Sequence, residues 1–128
     1  MMIVVRTPKD KLFNYTEVEE LYNKYKQELN DGDFSEVIKS TLFYAFYIWK
    51  TVELIGCIYF YKKDNKLFLN AFAARGHHEL NLECLKESLK WFECDIYAEG
   101  LHKTSRLCLL KCGFKRVKNN LFILERRN

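Results

Sequence analysis

The chain has 128 residues, 48% of them apolar, 16% aromatic and 30% charged. That fits one domain spanning residues 1–128 with enough large side chains for a packed core, and it excludes a disordered protein. No apolar run approaches the roughly 20 residues of a spanning helix, and Arg6, Lys9, Asp10 and Lys11 interrupt the first stretch too early for a secretion signal, so no membrane partner and a cytoplasmic location are expected.

The net charge of +4 is unevenly distributed: residues 1–100 carry 13 basic and 16 acidic side chains, residues 101–128 carry 8 and 1. A basic end of this kind suits an anion, whether a phosphorylated cofactor, nucleic acid or an acidic protein face, and is equally an ordinary solvated surface. The cysteines, Cys57, Cys84, Cys94, Cys108 and Cys112, are odd in number and form no CxxC pair. Reduced, mostly buried thiols are expected. Cys108 and Cys112 stand one helical turn apart and with His102 admit a shared metal, but the spacing matches no zinc motif and no metal is expected.

Met2 to Arg6 is a β-branched run that predicts a strand. From Thr16, apolar residues at Val18, Leu21, Tyr22, Tyr25 and Leu29 take helical spacing, and Thr16 with Glu19 reads as a capping box. Asn30-Asp31-Gly32 breaks that helix. Asp33 with Glu36 caps a second, shorter one carrying Phe34, Val37 and Ile38. Leu42–Trp49, Leu54–Tyr61 and Leu67–Ala73 are rich in aromatic and β-favouring residues, with turns at Lys50-Thr51 and Asp64-Asn65, and predict an antiparallel meander. A third helix follows Arg75-Gly76-His77-His78, its stripe formed by Leu82, Leu85, Leu89 and Phe92. Asp95–Ala98 predicts a strand and Lys103–Cys112 a helix stopped by Gly113. Phe114–Val117 and Leu121–Glu125 predict two last strands around Asn119-Asn120.

This order, β-α-α-β-β-β-α-β-α-β-β, with Gly113-Phe114 ending the last helix, resembles the GNAT family of N-acetyltransferases. The resemblance implies an α/β (α+β) fold with a mixed, mostly antiparallel central sheet flanked by helices, and acetyl-coenzyme A as acyl donor. It also implies where the donor would sit. Arg75-Gly76-His77-His78 stands at the family's pyrophosphate loop, where a helix N-terminus offers unpaired N–H groups and glycines let phosphate approach the backbone. Only one of the family's glycines is present; His78 and Leu80 occupy later glycine positions and are expected to crowd the phosphates, and Glu79 to repel them.

Counting back from Gly113 places His102 at the family's cofactor-contacting Asn, Ser105 at its small residue and Leu109 at its thiolate-protonating Tyr. The usual general acid is therefore missing. The resemblance assigns oxyanion stabilisation to backbone N–H groups near Phe72 and Ala73. It offers Glu99 as the base that deprotonates the amine, and Tyr97, two residues earlier on the same strand face, as a substitute acid. Each candidate also has a plain reading: Arg75, His77 and His78 as solvated loop residues, Glu99 as a strand-end glutamate, Tyr97 as a packing residue.

Three functions fit. The first is an acetyl-coenzyme A dependent N-acyltransferase acting on a small-molecule or protein amine by direct attack. The second is a non-catalytic module of the same fold binding a protein partner, as the degraded loop resembles versions in bacteriophage proteins. Phe43, Tyr44, Phe46, Tyr47 and Trp49 would then be contact residues, unless helices cover both sheet faces. The third is a nucleic-acid binder using Lys103, Arg106, Lys111, Lys115, Arg116, Lys118, Arg126 and Arg127, although no nucleic-acid motif occurs. Acceptor and oligomeric state are not legible in the sequence.

Overall fold

The structure, a computed structural model, describes residues 3–126. Its elements are β1 (Ile3–Arg6), α1 (Tyr15–Leu29), α2 (Phe34–Ser40), β2 (Leu42–Ile48), β3 (Leu54–Lys63), β4 (Lys66–Ala73), α3 (His78–Leu89), β5 (Ile96–Glu99), α4 (Lys103–Lys111), β6 (Lys115–Lys118) and β7 (Leu121–Leu124), in the expected order. Met2 and Arg127 lie outside the described residues. Among those described, no helix is long and apolar enough to cross a membrane.

Boundaries differ from expectation where a local hydrogen bond decides them. α1 is capped by Asn14, whose Oδ1 accepts the Glu17 N–H at 3.1 Å, so Thr16 lies inside the helix and no Thr16–Glu19 box forms. Asp33 precedes α2 in cap position, but its carboxylate pairs with Lys26 Nζ and makes no cap bond. Trp49 falls outside β2, in a turn with Lys50 at φ 68°. Asp64 and Asn65, both at positive φ, make the two-residue β3–β4 hairpin. α4 ends in a Schellman motif: Gly113, φ 93°, donates to Leu110 O and Phe114 donates to Leu109 O.

One seven-stranded sheet runs β1-β2-β3-β4-β5-β7-β6, with β4–β5 its parallel pair and the rest antiparallel. β3 is buried on both faces from Leu54 to Phe60. One core lies under α1 and α2 and takes Val18, Tyr22, Phe34, Phe43, Tyr47, Tyr59 and Phe72. The other lies under α3 and α4 and takes Phe46, Ile58, Phe60, Leu89, Ile96 and Phe122. The aromatic residues of β2 are thereby divided between two covered faces, with Phe43 stacked on Tyr59 at 5.7 Å and Tyr44 half-buried against Trp91. Two packed layers account for them. Of the five expected contact residues, Trp49 alone is strongly exposed. In α3, Cys84, Ser88 and Leu89 face inward, while Leu82 and Leu85 turn toward a cavity.

Burial raises several weak acids. Tyr22 is pushed up to about 12 by burial and by the nearby carboxylates of Asp31 and Asp33. Tyr59 and Tyr61 are raised by burial and by Asp31, and burial lifts Cys84 and Cys112 to about 11. A group whose folded pKa exceeds its unfolded value favours the native state only until the unfolded chain ionises. Stability is therefore expected to hold below about pH 8, to fall from there as unfolded thiols and then phenols ionise (roughly 8.5 and 10), and to keep falling toward pH 12. Melting temperatures measured from pH 7 to 11 check this; a flat profile would contradict it. Tyr59→Phe should reduce the slope above pH 10.

Candidate active site

β5 pairs with β4 only at Leu67↔Ile96 and Phe68↔Tyr97, and Glu99 at its end pairs instead with Leu121 of β7. From Leu69 onward β4 has no strand on that side. The two strands fork, and the fork opens into a cavity of about 580 Å³ lined by β4, the Arg75 loop, α3 and α4. A smaller cavity of about 250 Å³ adjoins it, between the end of α1, the end of β3 and Glu99.

Backbone polarity in the fork follows from the β3–β4 ladder. Ala74 N–H donates to Ile55 O at 2.9 Å, so alternation sends the backbone groups of Phe72 toward β3 and those of Ala71 and Ala73 toward the gap. Of the two expected oxyanion donors, Ala73 N–H is therefore available. Phe72 N–H is engaged in the ladder, and its ring packs in the core. Ala73 O accepts the Tyr25 hydroxyl at 3.0 Å, which fixes α1 against the fork.

Two helix N-termini border the larger cavity. At α3, His77 in the cap position makes no side-chain cap bond, leaving first-turn N–H groups open. Gly76 has φ 89° and open space where a Cβ would stand, so glycine is needed for the turn and leaves room beside the backbone. Arg75 is exposed, lines the cavity, and makes no hydrogen bond or ion pair among the described residues. His78 also lines it. Leu80 does not crowd the space, because its side chain packs on the core beneath α3. His77 turns away, its Nε2 2.9 Å from Glu53 Oε2, and does not line the cavity. Asn81 holds this turn in place, its Nδ2 donating to Ile55 O at 2.6 Å and His77 O at 2.8 Å.

At α4, His102 is in the cap position, and Ser105 Oγ accepts the His102 N–H at 3.1 Å while donating to His102 O at 2.8 Å. Both residues line both cavities. Leu109 is buried in the core and away from the cavity. The next α4 side chain on the cavity wall is Cys108, whose thiol burial pushes up, with Lys111 opposing, so it stays protonated at neutral pH. Cys112 caps the far end of α4 and packs on the core. Among the described residues, no cluster of His, Cys, Asp or Glu is placed to hold a metal.

Glu99 lines the smaller cavity and pairs with Lys63 at 3.7 Å. Tyr97 lines neither cavity. It sits where β4 and β5 are still paired, its ring 5.6 Å from Phe68 and beneath Lys66 Nζ, away from the opening of the fork. Periodicity placed Tyr25 in an apolar stripe and was silent on Glu28, yet both line both cavities. Their three-residue spacing on one helix face is the signal that was there to find.

Several of the basic residues are engaged within the chain. Arg126 donates to the C-terminal carbonyl of Leu89 and, through its N–H, to Asp95, an arrangement favoured by the helix dipole. Arg106 donates to Gly100 O, Arg116 to Asn119 O, and Lys115 pairs with Glu125.

No protein-family model matches the chain, and no curated protein matches it. Solved structures do. A GNAT-family acetyltransferase from Bacillus anthracis superimposes with a TM-score of 0.70 at 12% identity, covering 96% of this chain and 94% of that one. An acetyltransferase from Agrobacterium tumefaciens gives 0.71 at 10% identity, covering 94% and 88%. The Campylobacter jejuni N-acetyltransferase PseH, in complex with acetyl coenzyme A, gives 0.61 at 14% identity, covering 98% and 100%. At such identities the likeness is one of fold.

Proposed function

With the fold that of GNAT acetyltransferases, we propose that the chain is an acetyl-coenzyme A dependent N-acyltransferase acting on an amine, as a cytoplasmic enzyme whose free thiols suit a reducing compartment. The observation that carries this reading is the fork between β4 and β5 with two helix N-termini on its rim. Arg75, the Gly76 backbone and the open N–H groups of α3 would hold the pyrophosphate, and His78 would lie beside it. His102 and Ser105 would flank the pantetheine arm. The donor supplies a thioester carbonyl to the attacking amine. Ala73 N–H, fixed in the gap, would stabilise the negative charge that grows on that carbonyl oxygen. With leucine at position 109, solvent would protonate the departing sulfur.

Acetyl-coenzyme A at a hundred times its Kd should stabilise the chain by about 2.7 kcal/mol, a melting-temperature rise of several degrees. Arg75→Ala should weaken binding about 10- to 100-fold, as loss of a charge-assisted phosphate contact does. Differential scanning fluorimetry with acetyl-coenzyme A, coenzyme A and desulfo-coenzyme A measures both. No shift at millimolar concentration would defeat the proposal.

A further inference from the structure

We propose that Glu28 takes the proton from the attacking ammonium, and that the smaller cavity seats a small alkyl amine. This rests on the acyltransferase reading and adds the base and the acceptor side.

Tyr25, Glu28, Ala71, His102 and Ser105 line both cavities and so form their common wall. An amine in the smaller cavity that reaches a carbonyl at Ala73 passes these five residues. Ala71 carries no proton-accepting side chain. The Tyr25 hydroxyl is committed to Ala73 O and the Ser105 hydroxyl to the His102 backbone, which leaves the Glu28 carboxylate and the His102 ring; of the two, the carboxylate also attracts an ammonium. Glu28 lies one turn beyond Tyr25, and Tyr25 reaches the fork itself. Its carboxylate makes no hydrogen bond or ion pair among the described residues. Glu99, by contrast, is set back in the smaller cavity and paired with Lys63.

The cavity's size and lining indicate the acceptor. A volume of about 250 Å³ lies below the roughly 300–1,000 Å³ of drug-sized sites, which suits an alkyl amine of a few carbons. The groups that face Glu28 across it are Asp31, Tyr61, Lys63, Glu99 and His102, with Tyr25 on its own helix. Asp31 is fixed by the Tyr59 hydroxyl at 2.6 Å and by Asn70 Nδ2 at 2.8 Å. Burial, Asp31 and Glu99 keep the Tyr61 phenol protonated. Carboxylates outnumber the one lysine, so the cavity favours a cation.

In the step, one proton passes from the ammonium nitrogen to the Glu28 carboxylate. The freed lone pair attacks the thioester carbon, a C–N bond forms and the C–S bond breaks. The amide nitrogen gives up a second proton to solvent, and the sulfur, leaving as thiolate, takes one from it.

The test uses the full chain with acetyl-coenzyme A and three probe amines, n-butylamine, 1,4-diaminobutane and 2-phenylethylamine, with amide formation read by mass spectrometry. At least one probe should be acetylated. Glu28→Gln should lower kcat/KM about 10²- to 10³-fold at pH 7, with the deficit shrinking at higher pH as the amine deprotonates unaided, and should keep the thermal shift with acetyl-coenzyme A. Glu99→Gln should alter KM and keep the wild-type pH profile. A wild type that binds acetyl-coenzyme A and acetylates no probe overturns the inference alone. So does a Glu28→Gln variant within threefold of wild type, or a pH effect that follows His102→Gln instead. A wild type that does not bind acetyl-coenzyme A overturns the transferase reading as well.

Discussion

Alanine at Gly56 is expected to destabilise the fold by about 2–4 kcal/mol and to weaken acetyl-coenzyme A binding with it. A Cβ there would stand 1.9 Å from Asn81 Oδ1 and 3.0 Å from Phe72 O. The Phe72 carbonyl belongs to the ladder and cannot retreat, so Asn81 must. Its amide would then abandon Ile55 O and His77 O, the two bonds that tie the first turn of α3 to the sheet. Urea denaturation gives the loss, and Asn81→Ala is the companion measurement, since it removes the bridge without the clash and should cost about 1–3 kcal/mol. If Gly56→Ala moved the midpoint by under about 0.5 kcal/mol, Asn81 would be free to turn aside and would not be what fixes the loop.

Tryptophan at Cys108 is expected to abolish acetyl-coenzyme A binding while leaving the chain folded. Cys108 is half-buried in α4 with its side chain on the wall of the larger cavity, so an indole there projects into space the donor needs and displaces little packed protein. Tryptophan is an ordinary helix residue, and its helix-propensity cost relative to alanine is well under 1 kcal/mol. Circular dichroism should match wild type, and the thermal shift with acetyl-coenzyme A should vanish. Retained binding would place the donor outside the fork and remove the basis of the proposed function. The same substitution at Leu109 makes a sharp contrast: one residue on, it meets the packed core and should unfold the chain, since large overpacking is strained.

The basic C-terminal quarter shows why charge counted along a sequence says little about partners. Four of its cations, Arg106, Lys115, Arg116 and Arg126, are directed to carbonyls or a carboxylate of this chain. Arg126 in particular closes the end of α3. Its side chain thereby serves the fold.

Periodicity is a local property, and the elements it determines were legible: the stripe of α1, the Gly113 stop, the Asp64-Asn65 hairpin and the alternation that splits the aromatics of β2 between two faces. In α3 the helix was legible, but its buried face, Cys84, Ser88 and Leu89, keeps only Leu89 of the expected stripe. Cap identity was less so, because Asn14 and Thr16 are both competent caps and only the backbone angles at Asn14 decide between them. The lining of the larger cavity was legible in outline. Arg75, Gly76, His78, His102, Ser105 and Ala73 come together, since each sits at the end of an element whose order fixes where that end lies. What only the tertiary structure decided is direction. Whether His77 faces the cavity or Glu53, whether Tyr97 lies above or below the fork, and whether Glu28 meets the fork at all depend on how β4, β5 and α1 are registered against one another. Those contacts join residues far apart in the chain, and no local pattern of side chains encodes their geometry.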